Sequence, residues 1–175
     1  IKIYPRNPNV DYAWYLKGLT NYNRGKSIVA KYLPQEPAER DTFTMRAAYD
    51  DFSQLVKLYP NSIYAIDSAQ RIIYLRNNMA EYEIHVADYY MRRKAYVAAA
   101  NRGEYVVENY QRTPAVPDAL VIMTRAYRKL GIDELADDAL RVLRLNYPER
   151  PEIAWLEDPR GYEAAQKGSR SWKLW

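Results

Sequence analysis

The feature that most constrains the fold is a short phrase that occurs three times, each time after a stretch with helical apolar spacing. An alanine stands twelve residues before the third position of every copy, and that third position is proline in two of them. A small residue lets two helices cross closely, and a proline ends a helix so that the chain turns back. The copies are Leu58–Ser62, Asn109–Thr113 and Asn146–Arg150, preceded by Ala48, Ala99 and Ala136.

The spacing inside these segments is typical of the tetratricopeptide repeat, whose period is about 34 residues. Large residues follow the alanine in the first and third copies, whereas Gly103 and Gln111 are departures in the second. We therefore predict an all-α fold, a tetratricopeptide-repeat-like right-handed α-solenoid of antiparallel helix pairs. About three units are expected in residues 1–150, with a long insertion near 25–40, and residues 151–175 form a partly irregular C-terminal extension.

The central stretch, Tyr82–Tyr110, reads as two amphipathic helices joined by a tight turn at Arg93-Lys94. Short helices need neighbours to cover their apolar faces, so this pair is expected to belong to an array. A glycine tolerated inside a helix, Gly18, predicts close packing by another helix, and Gly131 predicts a left-handed helix end. Further helices are expected at Tyr12–Asn23, Asp41 or Thr42 to Leu58, Tyr64–Asn77 (an extra helix between units), Leu120–Lys129 and Glu134–Asn146, with a helix end at Ile1–Pro8 and a loop at Gly25–Arg40.

Composition excludes several classes of function. The chain has no cysteine, which excludes a disulfide framework and a thiolate metal site, and no apolar run long enough to span a bilayer. The single histidine, His85, has Glu81 and Asp88 on its helix face, but a solvated face explains this better than a metal site. Neither a catalytic constellation nor a phosphate loop is present, so we predict no cofactor and no enzyme activity.

Four phrases resemble the BamD family, lipoproteins of the outer-membrane β-barrel assembly machinery of Gram-negative bacteria. They are Pro8–Leu19, Arg46–Asp67, Tyr74–Tyr90 and Ala95–Arg102, and the similarity extends over roughly residues 1–148. The resemblance implies a lipid-anchored, non-enzymatic scaffold of five tetratricopeptide units at the periplasmic face of the outer membrane. The acylated cysteine and the first repeats of that family are absent from this sequence.

The resemblance also implies partners. These are the periplasmic domains of BamA, the lipoproteins BamC and BamE, and unfolded outer-membrane proteins, the last chiefly through the missing N-terminal part. Asn101-Arg102 stands where the family has its docking arginine, and Tyr105 and Asn109 lie on the same side of the helix as Arg102. A solvated arginine is the alternative for Arg102, and a generic tetratricopeptide peptide-binding adaptor is the alternative function.

Two features leave several interpretations open. The basic turn Arg92-Arg93-Lys94 fits solvated charges at a helix end, anionic lipid headgroups or an acidic partner, whereas nucleic acid is not expected because no basic-aromatic stripe accompanies it. The tail contains three of the four tryptophans. Exposed aromatic groups of this kind bind something as a rule, here the array itself, a partner or a membrane surface, and a disordered end is the alternative.

Overall fold

α-Helix is the only regular secondary structure in the described part of the chain. The computed structural model describes residues 1, 7–24 and 42–158, and this part contains seven α-helices and no strand. The predicted all-α class is confirmed, and the packed helices fit a tetratricopeptide-like arrangement. The predictions for Ile1–Pro8, the 25–40 loop and the tail beyond residue 158 lie wholly or largely outside these residues. The helices are α1 Val10–Arg24, α2 Thr42–Leu58, α3 Ala65–Arg92, α4 Tyr96–Asn109, α5 Val116–Leu130, α6 Asp133–Asn146 and α7 Glu152–Glu157.

Helix α3 differs from the sequence-based expectation. The predicted separate helix Tyr64–Asn77 does not exist, because the chain continues through to Arg92 as one helix of 28 residues. No glycine or proline interrupts residues 78–81, and Met79 and Ala80 are buried there. Helix α5 likewise begins at Val116, earlier than predicted, since Pro117 fits the first turn of a helix, where its missing N–H costs nothing.

The contacts divide the chain into two compact units, residues 1–82 and 83–175. In the first unit α1 packs on α2, and the contact is centred on Gly18 and Phe52. A Cβ atom added to Gly18 would lie 2.6 Å from Cε1 of Phe52, a side chain that is fully buried. The close packing predicted at Gly18 is therefore confirmed. The two helices can approach this closely because Gly18 has no side chain.

Hydrogen bonds between helices complete the first unit. The carboxylate of Asp51, only 4% exposed, accepts from Lys17 Nζ and, at 2.7 Å, from Asn21 Nδ2. Asp67 on α3 accepts from the Tyr15 hydroxyl at 2.8 Å and from Arg71 Nε at 2.6 Å. The buried charge of Asp51 is tolerated because it is paired and hydrogen-bonded.

The Asp67 carboxylate makes the stability of this unit depend on pH. The hydrogen bond from Arg71 lowers the pKa of Asp67 below its usual 3.8, burial opposes that shift, and the Tyr15 hydroxyl adds to it. A lowered pKa in the folded state contributes stability above the unfolded value, and that contribution is lost as the pH falls through the folded value. We expect the free energy of unfolding to decrease as the pH is lowered from 3.8. In the Asp67→Asn variant, the free energy of unfolding from denaturant titrations should decrease less steeply with falling pH. Equal dependence on pH in the two proteins would contradict the assignment.

The second unit packs the end of α3 with α4, α5, α6 and α7. Ala87, Ala99, Ala100, Ile122 and Ala126 form one buried cluster, so the alanines expected at the α3–α4 crossing lie where predicted. Ala136 is likewise fully buried in α6. The six-residue α7 contacts α5 and α6. The predicted division at residue 150 stays a prediction.

Between residues 83 and 158, three turns have a positive φ. Gly131 ends α5 with φ 73° and ψ 23°, which confirms the predicted left-handed helix end. The predicted turn at Arg93-Lys94 is also confirmed, and Lys94 has φ 60° there. Arg112, after the end of α4, has φ 64°. Helix α4 is thus bracketed by two basic residues in a backbone conformation that favours glycine.

Candidate functional site

Helix α4 carries all four residues of the predicted docking surface. Its buried face is formed by Ala99, Ala100, Gly103 and Val106, and this fixes the direction of the remaining positions. Asn101 and Asn109 are exposed, whereas Arg102 and Tyr105 are half-buried. The helical spacing therefore separates the four residues into a solvent-facing pair and a pair at the edge of the core.

Arg102 forms an ion pair with Glu83 on α3. Its Nη1 donates to Glu83 Oε2 at 2.8 Å, and the side chains are 42% and 10% exposed. The hydrogen bond from Arg102 to Glu83 raises the pKa of the guanidinium, and burial works in the opposite direction. The arginine is thus permanently charged, held at one edge by a buried carboxylate and open to solvent over part of its surface.

Tyr105 and Asn109 are engaged within the second unit. The Tyr105 ring lies 5.8 Å from the ring of Tyr110 in an edge-on arrangement. The Asn109 amide donates to the Tyr105 carbonyl at 3.0 Å, one turn back along the helix. These contacts stabilise the C-terminal end of α4, and neither of them brings Tyr105 or Asn109 to the Arg102 guanidinium.

Asn101 instead borders an open surface pocket of about 460 Å³. The pocket lies between the first turns of α4 and the end of α5, and most of its lining is apolar, with Val97 58% exposed. The lining residues are Lys94, Ala95, Tyr96, Val97, Ala98, Asn101 and Leu130. An apolar depression bordered by an amide and a lysine, on the helix that also carries Arg102, has the composition of a protein contact.

Sequence reasoning missed Glu83, the residue that holds Arg102. A signal for it exists, since Ala80, Glu83 and Ala87 follow one another at i, i+3 and i+7 and all three are buried. An acidic residue inside a stripe of alanines requires a cationic partner, because an unpaired charge is costly to bury. The sequence offers several arginines, and only the fold selects Arg102.

Residues 1, 7–24 and 42–158 contain no group of three or more metal-ligating side chains. None of the helices within these ranges combines the length and the apolar character needed to cross a membrane.

Comparisons with known proteins give the same family as the sequence phrases. The chain is 42% identical to the outer membrane protein assembly factor BamD of Neisseria meningitidis serogroup A, over 90% of this chain and 60% of the relative. It is 40% identical to the BamD of Xylella fastidiosa strain Temecula1, over 94% and 56%, and 36% identical to that of Haemophilus influenzae, over 82% and 55%. The chain therefore spans somewhat over half the length of these relatives. The family model described as YfiO, outer membrane lipoprotein, matches residues 1–143, and the chain belongs to this family.

Proposed function

We propose that the chain is part of a non-enzymatic scaffold subunit of the outer-membrane β-barrel assembly machinery and docks the periplasmic domains of BamA. Membership of the lipoprotein family and relatives named as outer membrane protein assembly factors support this function. The observation that carries it is the Arg102–Glu83 pair, which holds a charged guanidinium partly exposed on α4, the helix whose first turns also line an apolar pocket.

The remaining assignments belong to the same proposal. The protein acts at the periplasmic face of the outer membrane, with a lipid anchor outside the present sequence. BamC and BamE are further partners, and unfolded outer-membrane proteins are recognised chiefly by the part that precedes residue 1. The helical repeats of residues 1–150 are the docking part, and residues 151–175 are an extension of it.

Guanidinium chemistry explains why an arginine suits this role. Its planar fork can donate to a carboxylate at two points, so a partner carboxylate can bind the edge that Glu83 does not occupy. Glu83 fixes the side chain before the partner arrives, which reduces the conformational entropy lost on binding. Asn101 and the apolar pocket add contact area at one side, whereas Tyr105 and Asn109 act by stabilising the end of α4.

Arg102 therefore has both a structural role and a docking role, and a test must separate them. We expect the double variant Arg102→Gln with Glu83→Gln to keep its fold, because two amides replace the ion pair without leaving a buried charge unpaired. Its affinity for purified BamA periplasmic domains should nevertheless fall about tenfold or more, equivalent to roughly 1.4 kcal/mol. Titration calorimetry gives the affinity, and thermal unfolding checks the fold.

A matched control is the exposed pair on α6, in which Arg141 lies 2.8 Å from Asp138. The double variant Arg141→Gln with Asp138→Asn changes the same charges in the same unit, and its affinity should equal that of the unmodified chain. Equal losses in both double variants would remove Arg102 from the docking surface. A chain that binds extended peptides but not the BamA domains would favour the generic adaptor instead.

A further inference from the structure

Helix α6 exposes an apolar stripe that none of the described helices covers. Leu135, Val142 and Leu145, here named the α6 stripe, are 44%, 40% and 73% exposed. Ala136, Ala139 and Leu143 form the buried face of the same helix. Single exposed apolar residues are common on protein surfaces, but three large aliphatic side chains exposed along one helix indicate a contact site.

The polypeptide leaves the described part of the fold beside this helix. The Arg128 guanidinium donates to the carbonyl of Leu156, and Arg144 on α6 lies 3.3 Å from Glu157. The first contact holds the end of α7 on α5, and the second holds it at the last turn of α6, where Arg144 precedes Leu145. Asp158, the last described residue, is therefore close to one end of the stripe.

The sequence that follows complements α6 in charge. Helix α6 carries four acidic and two basic residues, a net charge of −2. Residues 159–175 carry four basic residues and one acidic residue, a net charge of +3. Opposite net charges raise the rate of encounter and favour the correct pairing of two surfaces. The same seventeen residues also supply large apolar side chains, namely Tyr162, Trp172, Leu174 and Trp175.

The distances allow an intramolecular contact. The fourteen residues of α6 span about 21 Å at about 1.5 Å per residue. A chain of seventeen residues has a root-mean-square reach of about 23 Å, so it can approach every part of the stripe. Tethering at this distance gives an effective concentration on the order of 1 mM, at which a weak apolar contact is populated.

We propose that residues 159–175 bind the α6 stripe of their own chain, with Trp172 and Trp175 against the aliphatic side chains and the basic residues facing the acids of α6. The segment thereby covers the exposed face of α6. This contact is independent of the docking function proposed for α4.

The test uses the absence of native cysteine, which permits a single label. Leu145→Cys carries bimane, a fluorophore that tryptophan quenches on contact, in the full chain. Replacing Trp172 and Trp175 by serine should raise the bimane emission about twofold, as expected if at least half of the molecules hold the contact at an effective concentration near 1 mM. The change Leu135→Ser with Val142→Ser should raise it similarly, and both sites are exposed enough for the fold to be kept.

Bimane on Gln54→Cys, an exposed position of α2, is the control and should not respond to the tryptophan changes. Unchanged emission from the α6 label in the tryptophan variant would overturn the proposal. Quenching that disappears on dilution would overturn it in favour of a second copy of the chain. If the bimane were quenched only after phosphatidylglycerol vesicles were added, the segment would be assigned to a lipid surface instead. A blue shift of the tryptophan emission that appears only with these vesicles would mean the same.

Discussion

Phe52→Ala is expected to destabilise the chain by about 3–5 kcal/mol, the usual cost of removing a large aromatic side chain from a packed core. Phe52 is fully buried, lies against Gly18, and has the Tyr15 and Tyr22 rings 6.2 and 6.5 Å away. Truncation removes the ring that fills the space between α1 and α2 and leaves a cavity there. The midpoint of urea unfolding, followed by circular dichroism, measures the loss.

The chain provides a matched control in Phe43, its other phenylalanine. Phe43 lies on the same helix and is 74% exposed, so Phe43→Ala should change the free energy of unfolding by no more than about 0.5 kcal/mol. Hydrogen exchange then locates the effect, since amides of α1 and α2 should lose protection in Phe52→Ala only. Similar midpoints for the two variants would mean that Phe52 does not hold α1 and α2 together.

Gly103→Val is expected to cost about 3 kcal/mol, because α4 and α5 approach too closely for a branched side chain. A Cβ atom at Gly103 would lie 2.7 Å from Met123 Cγ and 3.0 Å from the Ala119 carbonyl oxygen. The flexible methionine can move aside, but the carbonyl belongs to the backbone of α5 and cannot. The two helices would have to separate, and thermal unfolding should show a clearly lower midpoint.

Glu104→Val, the control, places the same valine at the next position of α4, which is exposed. There we expect only the small loss of stability that follows from the lower helix propensity of valine. Combining Gly103→Val with Met123→Ala separates the two clashes. We expect incomplete recovery, because the alanine removes the methionine contact and leaves the carbonyl in place. Complete recovery would show that the side chain alone sets the limit, and a Gly103→Val midpoint equal to that of Glu104→Val would contradict the close approach.

The sequence predicted those parts of the fold that depend on local pattern. Helix ends followed from proline and glycine, so α2 ends at Leu58 and Gly131 follows the last residue of α5 in the expected left-handed conformation. Ala87 and Ala99 were identified by spacing alone and lie in one buried cluster. Residue spacing within one helix is a local property, and it is not altered by how the helices later pack.

Features that depend on tertiary packing were not predictable in this way. The sequence analysis predicted two helices, Tyr64–Asn77 and a second one from Tyr82, whereas the structure has one continuous helix in which Met79 and Ala80 are buried. Glu83 and Arg102 are nineteen residues apart, and their pairing requires the crossing of α3 and α4. The docking roles of Asn101, Arg102, Tyr105 and Asn109 stay predictions.

The two left-handed residues that bracket α4 have a consequence for anyone who engineers this chain. An L-residue in that backbone conformation costs about 1–2 kcal/mol, and glycine would largely avoid the cost at both Lys94 and Arg112. A stability screen would therefore select glycine at these turns and discard two cations at the ends of the helix with the docking residues. A more heat-resistant chain obtained in this way would have to be checked for its ability to assemble before it replaced the original in reconstitution work.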